Sequence, residues 1–275
     1  MYKKGTEVEP LNALNFVGLG KVLWNRDFQN QAEALFTQAI EMTKSKNATV
    51  LMKIAENYIN SKNKNLKAAN ELLAKALKLE PKNPDVHILI GDAMLEADPM
   101  NGSGPVKKYL EASELNKNNA KPILRIGKLY FRAKNANEAL KWYKDAINID
   151  STFAPAYLEM GELYLLAGKN KLALEQYKKY LLLNNDIEAR DRFAQILWIN
   201  KLYEDAINEV SLIQKTDSSS FYLYRVLGYS YSEVGDKFPP NGYKKGLYSI
   251  NKFFDMSASV KGFKYLSSDY SAKGK

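Results

Sequence analysis

Residues 125–150 read RIGKLYFRAKNANEALKWYKDAINID, two amphipathic stretches parted by a short polar turn, and Gly127 stands inside the first. A glycine in a helix interior costs about 1 kcal/mol relative to alanine. Its presence marks a place where a partner comes too close for a side chain, so another backbone is expected against Gly127. The sequence supplies the partner by repeating itself. Gly161 follows 34 residues later in AYLEMGELYLLAGKNKLALEQYKKYL (156–181), and Tyr130, Ala139 and Tyr143 return as Tyr164, Ala173 and Tyr177. A period of that size holding two helices is the mark of a helical solenoid.

The register extends in both directions. Small residues fall at Gly20, Ala55, Gly91, Gly127, Gly161, Ala194, Gly228 and Ser267, at intervals of 33 to 39 residues. An apolar residue precedes each one (Leu19, Ile54, Ile90, Ile126, Met160, Phe193, Leu227, Leu266). Three places after it comes Leu23, Tyr58, Met94, Tyr130, Tyr164, Leu197, Tyr231 or Tyr270, which puts all three on one helical face. In the second helix Ala32 and Phe36, Ala69 and Leu73, Ala139 and Tyr143, Ala173 and Tyr177, and Ala206 and Val210 recur at i, i+4. Small residues on both helices let them approach, and the large ones fill the space beside the contact.

This pattern resembles the tetratricopeptide repeat family, and Ile123, Ile126, Gly127, Tyr130, Ala139, Tyr143 and Ala146 carry the resemblance most fully. The family's closing proline is present at Pro81 and replaced by Ser151 and Asn185 elsewhere. The resemblance implies an all-α fold, an α-α superhelix built as a right-handed solenoid of helix-turn-helix repeats whose first helices line a concave surface. After a leader at 1–12, seven repeats are expected at 13–47, 48–83, 84–119, 120–153, 154–186, 187–220 and 221–259. Residues 260–275 are expected to be the first helix of a truncated eighth, helical over 260–270. Its Phe263, Leu266 and Tyr270 would lack a covering helix, so it is expected to fray, pack on a neighbour or join two copies into a homo-oligomer. The chain is accordingly expected to be a fragment of a longer bacterial multi-repeat protein, from which a signal or anchor could be missing.

Two stretches depart from the repeat. EADPMNGSGPVKKYL (96–110) lengthens one turn by about two residues and puts Pro105 where the small alanine belongs, so the second helix is expected to begin near 105. Its Gly102, Ser103, Gly104, Lys107 and Lys108 have neither the spacing nor the preceding strand of a phosphate-binding loop. EVGDKFPPNGYKKGLYSI (233–250) adds six residues between the helices of the seventh repeat, with a Pro-Pro-Asn-Gly turn; it reads first as tolerated loop length and only second as decoration of a binding surface with Phe238 as its anchor.

Composition narrows the function. Hydrophobic residues make up 45% of the 275, and no run approaches the 18 apolar residues of a membrane span. The first residues, MYKKGTEVEPLNALNF, contain no apolar core of a secretory signal. With no cysteine there are no disulfides or thiolate metal sites. The net charge of +9 is concentrated at one end: residues 221–275 hold nine basic and four acidic side chains, or +5, while elsewhere the signs are mixed. A nucleic-acid partner is therefore not expected. Lysine outnumbers arginine 34 to 6 and asparagine is abundant, as in an AT-rich bacterial genome. The compartment stays open between the bacterial periplasm or envelope and the cytoplasm.

No enzyme, cofactor or metal site is expected. The one histidine, His87, falls at a packing position, and without a second histidine or a cysteine the common nucleophile-base pairs and zinc sets are absent. Asp85, Asp92, Glu96, Glu159 and Glu162 could serve acid-base chemistry but read as solvated or paired carboxylates on helix faces.

The resemblance implies a protein-interaction scaffold. Groove contacts in that family come from the second, fifth, ninth, twelfth and thirteenth places of each repeat. Here those places and their neighbours give Lys121, Leu124, Arg125, Lys128, Phe131 and Arg132, then Glu162, Gln195, Trp198, Tyr222, Arg225 and Tyr229. Basic groups are flanked by acidic ones, which can pair between neighbouring repeats. Trp24, Phe131, Trp198, Tyr222 and Tyr229 read as exposed aromatics of the kind that anchor interfaces. The two-Lys, two-Asn, one-Arg clamp that some members close on a C-terminal carboxylate is not matched. The expected partner is a protein or peptide segment with apolar side chains and some acidic groups, bound across repeats four to seven. An architectural, self-assembling spacer within a longer envelope protein is the alternative.

Overall fold

A computed structural model describes residues 2–215, 220–261 and 263–274. Among them every regular element is a helix. After α1 (Tyr2–Val8) come α2 (Ala13–Trp24) and α3 (Gln29–Met42), α4 (Ala48–Asn60) and α5 (Leu66–Leu79), α6 (Pro84–Ala97) and α7 (Ser103–Leu115), and α8 (Lys121–Arg132) and α9 (Ala136–Ile149). The series continues with α10 (Ala154–Leu166) and α11 (Asn170–Leu183), α12 (Ile187–Ile199) and α13 (Tyr203–Ile213), α14 (Phe221–Val234) and α15 (Gly242–Ser257), and ends in α16 (Ser267–Gly274). The close of the sixth expected repeat at 216–219, residues 262 and 275, and the side chain of Ser267 lie outside the described residues. By its contacts the chain forms two units, Met1–Asp150 and Ser151–Lys275.

In the first unit asparagines cap five of the helices. The side chains of Asn12, Asn47, Asn65, Asn83 and Asn135 each accept a backbone N–H from the first turn of the helix that follows. This satisfies a donor that has no partner inside the helix. The turns from α2 to α3 and from α8 to α9 share one closure. Asp27 and Lys134 adopt left-handed φ, and the next N–H returns to a carbonyl five residues back, Phe28 to Leu23 and Asn135 to Tyr130.

In the first unit the packing partner of each register glycine is an aromatic ring, not the backbone that the sequence led us to expect. A Cβ at Gly20 would stand 2.5 Å from the Phe36 ring, at Gly91 2.5 Å from Tyr109, and at Gly127 2.6 Å from Tyr143. Those three rings are almost wholly buried. The lengthened turn before α7 is absorbed without disturbing this contact. The helix starts at Ser103, two residues earlier than expected, and Pro105 is buried in its first turn, where its missing N–H costs nothing.

In the second unit Gly168 and Lys201 repeat the same turn closure, and Gly161 meets the Tyr177 ring at 2.7 Å. The lengthened connection of the last helix pair includes a three-residue 3-10 turn, Gly235–Lys237. Here backbone does approach backbone: a Cβ on Gly242 would collide with the carbonyl of Gly235. Phe238 is not an exposed anchor, because its ring packs edge-on against Tyr231 with centroids 5.4 Å apart.

The helix expected over 260–270 is also corrected. Residues 263–266 belong to no helix and α16 begins only at Ser267. Phe263 and Tyr265 both pack on Phe253, at 5.8 and 5.9 Å, and two side chains spaced i, i+2 share a face on an extended chain but not on a helix. Phe263 is thereby covered, with Phe221 edge-on at 5.2 Å.

Candidate functional site

In the first unit the charged residues of the first helices form a ladder. Asp92 on α6, 8% exposed, accepts a hydrogen bond from the Tyr109 hydroxyl at 2.7 Å and lies 3.1 Å from Arg125 Nε on α8. Burial, with the adjacent Asp92 charge and hydrogen bond, pushes the Tyr109 hydroxyl up. Lys121 reaches Asp85 at 3.7 Å, and Lys64 pairs with Glu96. The pairing of acidic and basic groups between neighbouring repeats is thus present.

A cleft of about 160 Å³ lies between α4, α6 and α8, walled by Asn60, Glu96, Arg125, Lys128 and Arg132. A larger, more apolar cleft of about 530 Å³ adjoins it, built by the lengthened turn (Pro99, Met100, Gly102), by Val106 on α7 and by the end of α8. Arg132 borders both and makes no ion pair among the described residues. Phe131 is half-buried.

Two expectations fail here. Leu124 is buried in the core and presents nothing to a groove. Trp24 is 5% exposed, and its indole N–H donates to Ser61 Oγ and to the Asn63 carbonyl, both at 2.9 Å. It ties the first helix pair to the turn of the second, a structural use of a buried aromatic with a polar handle.

His87 is held as a packing residue, with Nδ1 3.2 Å from Glu111 and Nε2 3.0 Å from the Pro81 carbonyl. The Lys108 hydrogen bond, aided by His87, holds the Glu111 carboxyl below its usual range. Ser103 donates to Asn101, and Lys108 is committed to Glu111, so the Gly-Ser-Gly turn gathers no phosphate-binding groups. No group of three or more His, Cys, Asp or Glu is placed to hold a metal, and no helix is long and apolar enough to cross a membrane, among the described residues.

In the second unit Glu162 accepts from the Tyr177 hydroxyl and lies 3.8 Å from Arg192, and Gln195 donates weakly to Asp191 at 3.5 Å. Tyr222 is 39% exposed. Trp198, Arg225 and Tyr229 are brought together, but they are occupied. Trp198 stacks on Tyr229 with centroids 4.9 Å apart. Arg225 grips both carboxylate oxygens of Asp269 on α16, Nε to Oδ1 at 2.8 Å and Nη2 to Oδ2 at 3.0 Å. Tyr229 donates to the same carboxylate, its hydroxyl meets Ser268, and it is 6% exposed, so it is no open anchor.

Asp269 was missed by the sequence reading. The available signal is that it is the lone acidic residue among four lysines in 261–275. Tyr203 was missed as well: with Trp198, Tyr229, Glu233 and the α16 residues Ser271 and Ala272 it borders a cleft of about 150 Å³.

Helix pairs repeated in tandem, each closed by a small residue against a large one, define an all-α helical-repeat protein. Residues 127–168 match the model of the TPR repeat, and the fold is similar to that of solved TPR-repeat proteins. PilF of Pseudomonas aeruginosa is similar in structure, with a TM-score of 0.60 over 83% of this chain and 97% of that one, at 17% identity. The C-terminal part of a TPR repeat-containing protein of Cytophaga hutchinsonii gives 0.55 over 93% and 98%, at 13% identity. TTC0263, a thermophilic TPR protein of Thermus thermophilus, gives 0.52 over 68% and 99%, at 21% identity. No curated protein matches the sequence significantly.

Proposed function

We propose that the chain is a non-catalytic scaffold that binds a protein or peptide segment on the faces of its first helices, as the repeat family implies. The observation that carries this reading is Arg132. Among the described residues it makes no ion pair, and it stands between a charged cleft and an apolar one, while its neighbour Arg125 is committed to Asp92. A cation at the edge of an apolar cleft suits a segment that presents an apolar side chain beside an acidic one. Phe131 and Lys128 extend this face in the first unit, and Glu162, Gln195 and Tyr222 are the corresponding groups in the second.

Affinity capture from the source organism with the intact chain, read by mass spectrometry, tests the assignment. Arg132→Glu is expected to lose the captured partner, whereas Lys178→Glu, exposed on the second helix α11, keeps it. Equal capture by both variants would remove this face as the site.

A further inference from the structure

We infer that α16 occupies a docking site as a tethered stand-in for a partner's acidic helical segment, and that the wall formed by Arg225, Tyr229 and Trp198 receives that segment when α16 lifts away. This rests on the scaffold reading and adds the chemistry of the ligand and the way access is controlled.

The occupant defines the site. Asp269 is fully buried, both its oxygens are paired with Arg225, and Tyr229 adds a third donor. A two-pronged guanidinium-carboxylate contact closed by a hydroxyl is a geometry specific for a carboxylate. One turn on, Ala272 is buried beside Tyr229 and Trp198. The surface therefore reads an acidic residue followed at i+3 by a small apolar one, on a helix.

The grip is of a kind that can be exchanged. α16 has eight residues, too few to be stable as an isolated helix. Of its described side chains, Asp269 and Ala272 alone are buried, and Tyr270 is 58% exposed. Opening a buried pair is costly by itself, but a segment that supplies its own carboxylate replaces the clamp without leaving a charge unpaired, so exchange costs less than opening alone. Opening would leave Arg225, whose side chain is 17% exposed, without its counter-ion, and this favours entry of another carboxylate. Asp269 also accepts the Leu266 N–H at 2.6 Å, which caps α16, so the residue that fills the site also holds its own helix together. Tethering gives α16 an effective concentration in the millimolar range, so an incoming segment needs further contacts, and Tyr222 stands exposed on the same helix α14.

The probe is a fluorescent peptide with the sequence of residues 263–274, FKYLSSDYSAKG, titrated by anisotropy against the full chain. Asp269→Asn is expected to empty the site and bind the peptide at least tenfold more tightly than the unaltered chain does. The same peptide carrying asparagine for aspartate, or the double variant Asp269→Asn with Arg225→Gln, is expected to lose at least tenfold of that binding. Equal binding of the acidic and amide peptides, or no gain in Asp269→Asn, overturns the proposal.

A second measurement needs no variant. In the unaltered chain the α16 amides are expected to exchange with solvent at least tenfold faster than those of α14 and α15, and exchange in step with those helices makes α16 a fixed part of the core and overturns it. Light scattering showing a dimer that Asp269→Asn dissociates would assign α16 to a second copy and overturn the intrachain arrangement. None of these results depends on the Arg132 face, so the scaffold reading stands or falls separately.

Discussion

The ring of Tyr143 lies against Gly127 so closely that a methyl group on the glycine would stand 2.6 Å from two ring carbons. Gly20 with Phe36, Gly91 with Tyr109 and Gly161 with Tyr177 repeat the relationship. At the equivalent places where the second helix carries Leu73 or Val210, the first carries Ala55 or Ala194. In the four glycine pairs the ring on the second helix takes the room of a Cβ on the first, while Gly228 is crowded instead by Ile250, whose own Cβ lies 3.0 Å from where the glycine's would stand. Helix propensity alone makes Gly127→Ala stabilising by about 1 kcal/mol. We expect a net loss of about 1 kcal/mol instead, because a fully packed ring must move. Adding Tyr143→Leu should relieve that strain, with a coupling of at least about 1 kcal/mol in urea melts of the four-member cycle. Additive effects would mean that the ring does not select the glycine.

Asp92 joins three helices through one carboxylate, since it takes the hydroxyl of Tyr109 on α7 and the guanidinium of Arg125 on α8 from its own place on α6. Asp92→Ala is expected to cost about 2–3 kcal/mol, as it leaves a buried hydroxyl without an acceptor. Tyr109→Phe, which removes only the donor, should cost less, about 1 kcal/mol. Chemical denaturation of the two variants gives the ranking, and the reverse order would contradict it.

Burial, followed by hydrogen bonds to carboxylates, raises the hydroxyls of Tyr58 and Tyr177, and Tyr180 is pushed up to about 12. The folded state then keeps protons that the unfolded chain releases near pH 10. These groups contribute stability that is fully present below about pH 10 and is lost as pH rises through the folded values. Melting temperature is expected to hold level up to that point and then fall, alongside the tyrosinate absorbance. A fall beginning several units lower would assign the transition to other groups.

Phe253 is fully buried among Phe221, Phe254, Phe263 and Tyr265. Phe253→Ala should cost about 3–5 kcal/mol. Because repeat arrays are stabilised by neighbour contacts, the loss is expected in the amide exchange of α14 to α16, with α4 to α7 unchanged. Uniform acceleration along the chain would instead indicate one cooperative unit.

The sequence by itself determined the helices, their pairing and the face on which each small residue sits. These follow from periodicity and volume, and every copy of the repeat states them again. It also contained the charge alternation that became the Asp85–Lys121 and Asp92–Arg125 pairs. Tertiary structure alone decided what each large residue was for. Trp24, Leu124 and Tyr229 occupy places that a helical wheel assigns to an open face, yet they are covered by Ser61 and Asn63, by the core, and by α16. Local pattern fixes the direction in which a side chain leaves its helix, but exposure depends on what returns from elsewhere in the chain. Asp269 lies 44 residues from Arg225, and no repeat spacing encodes a contact made once.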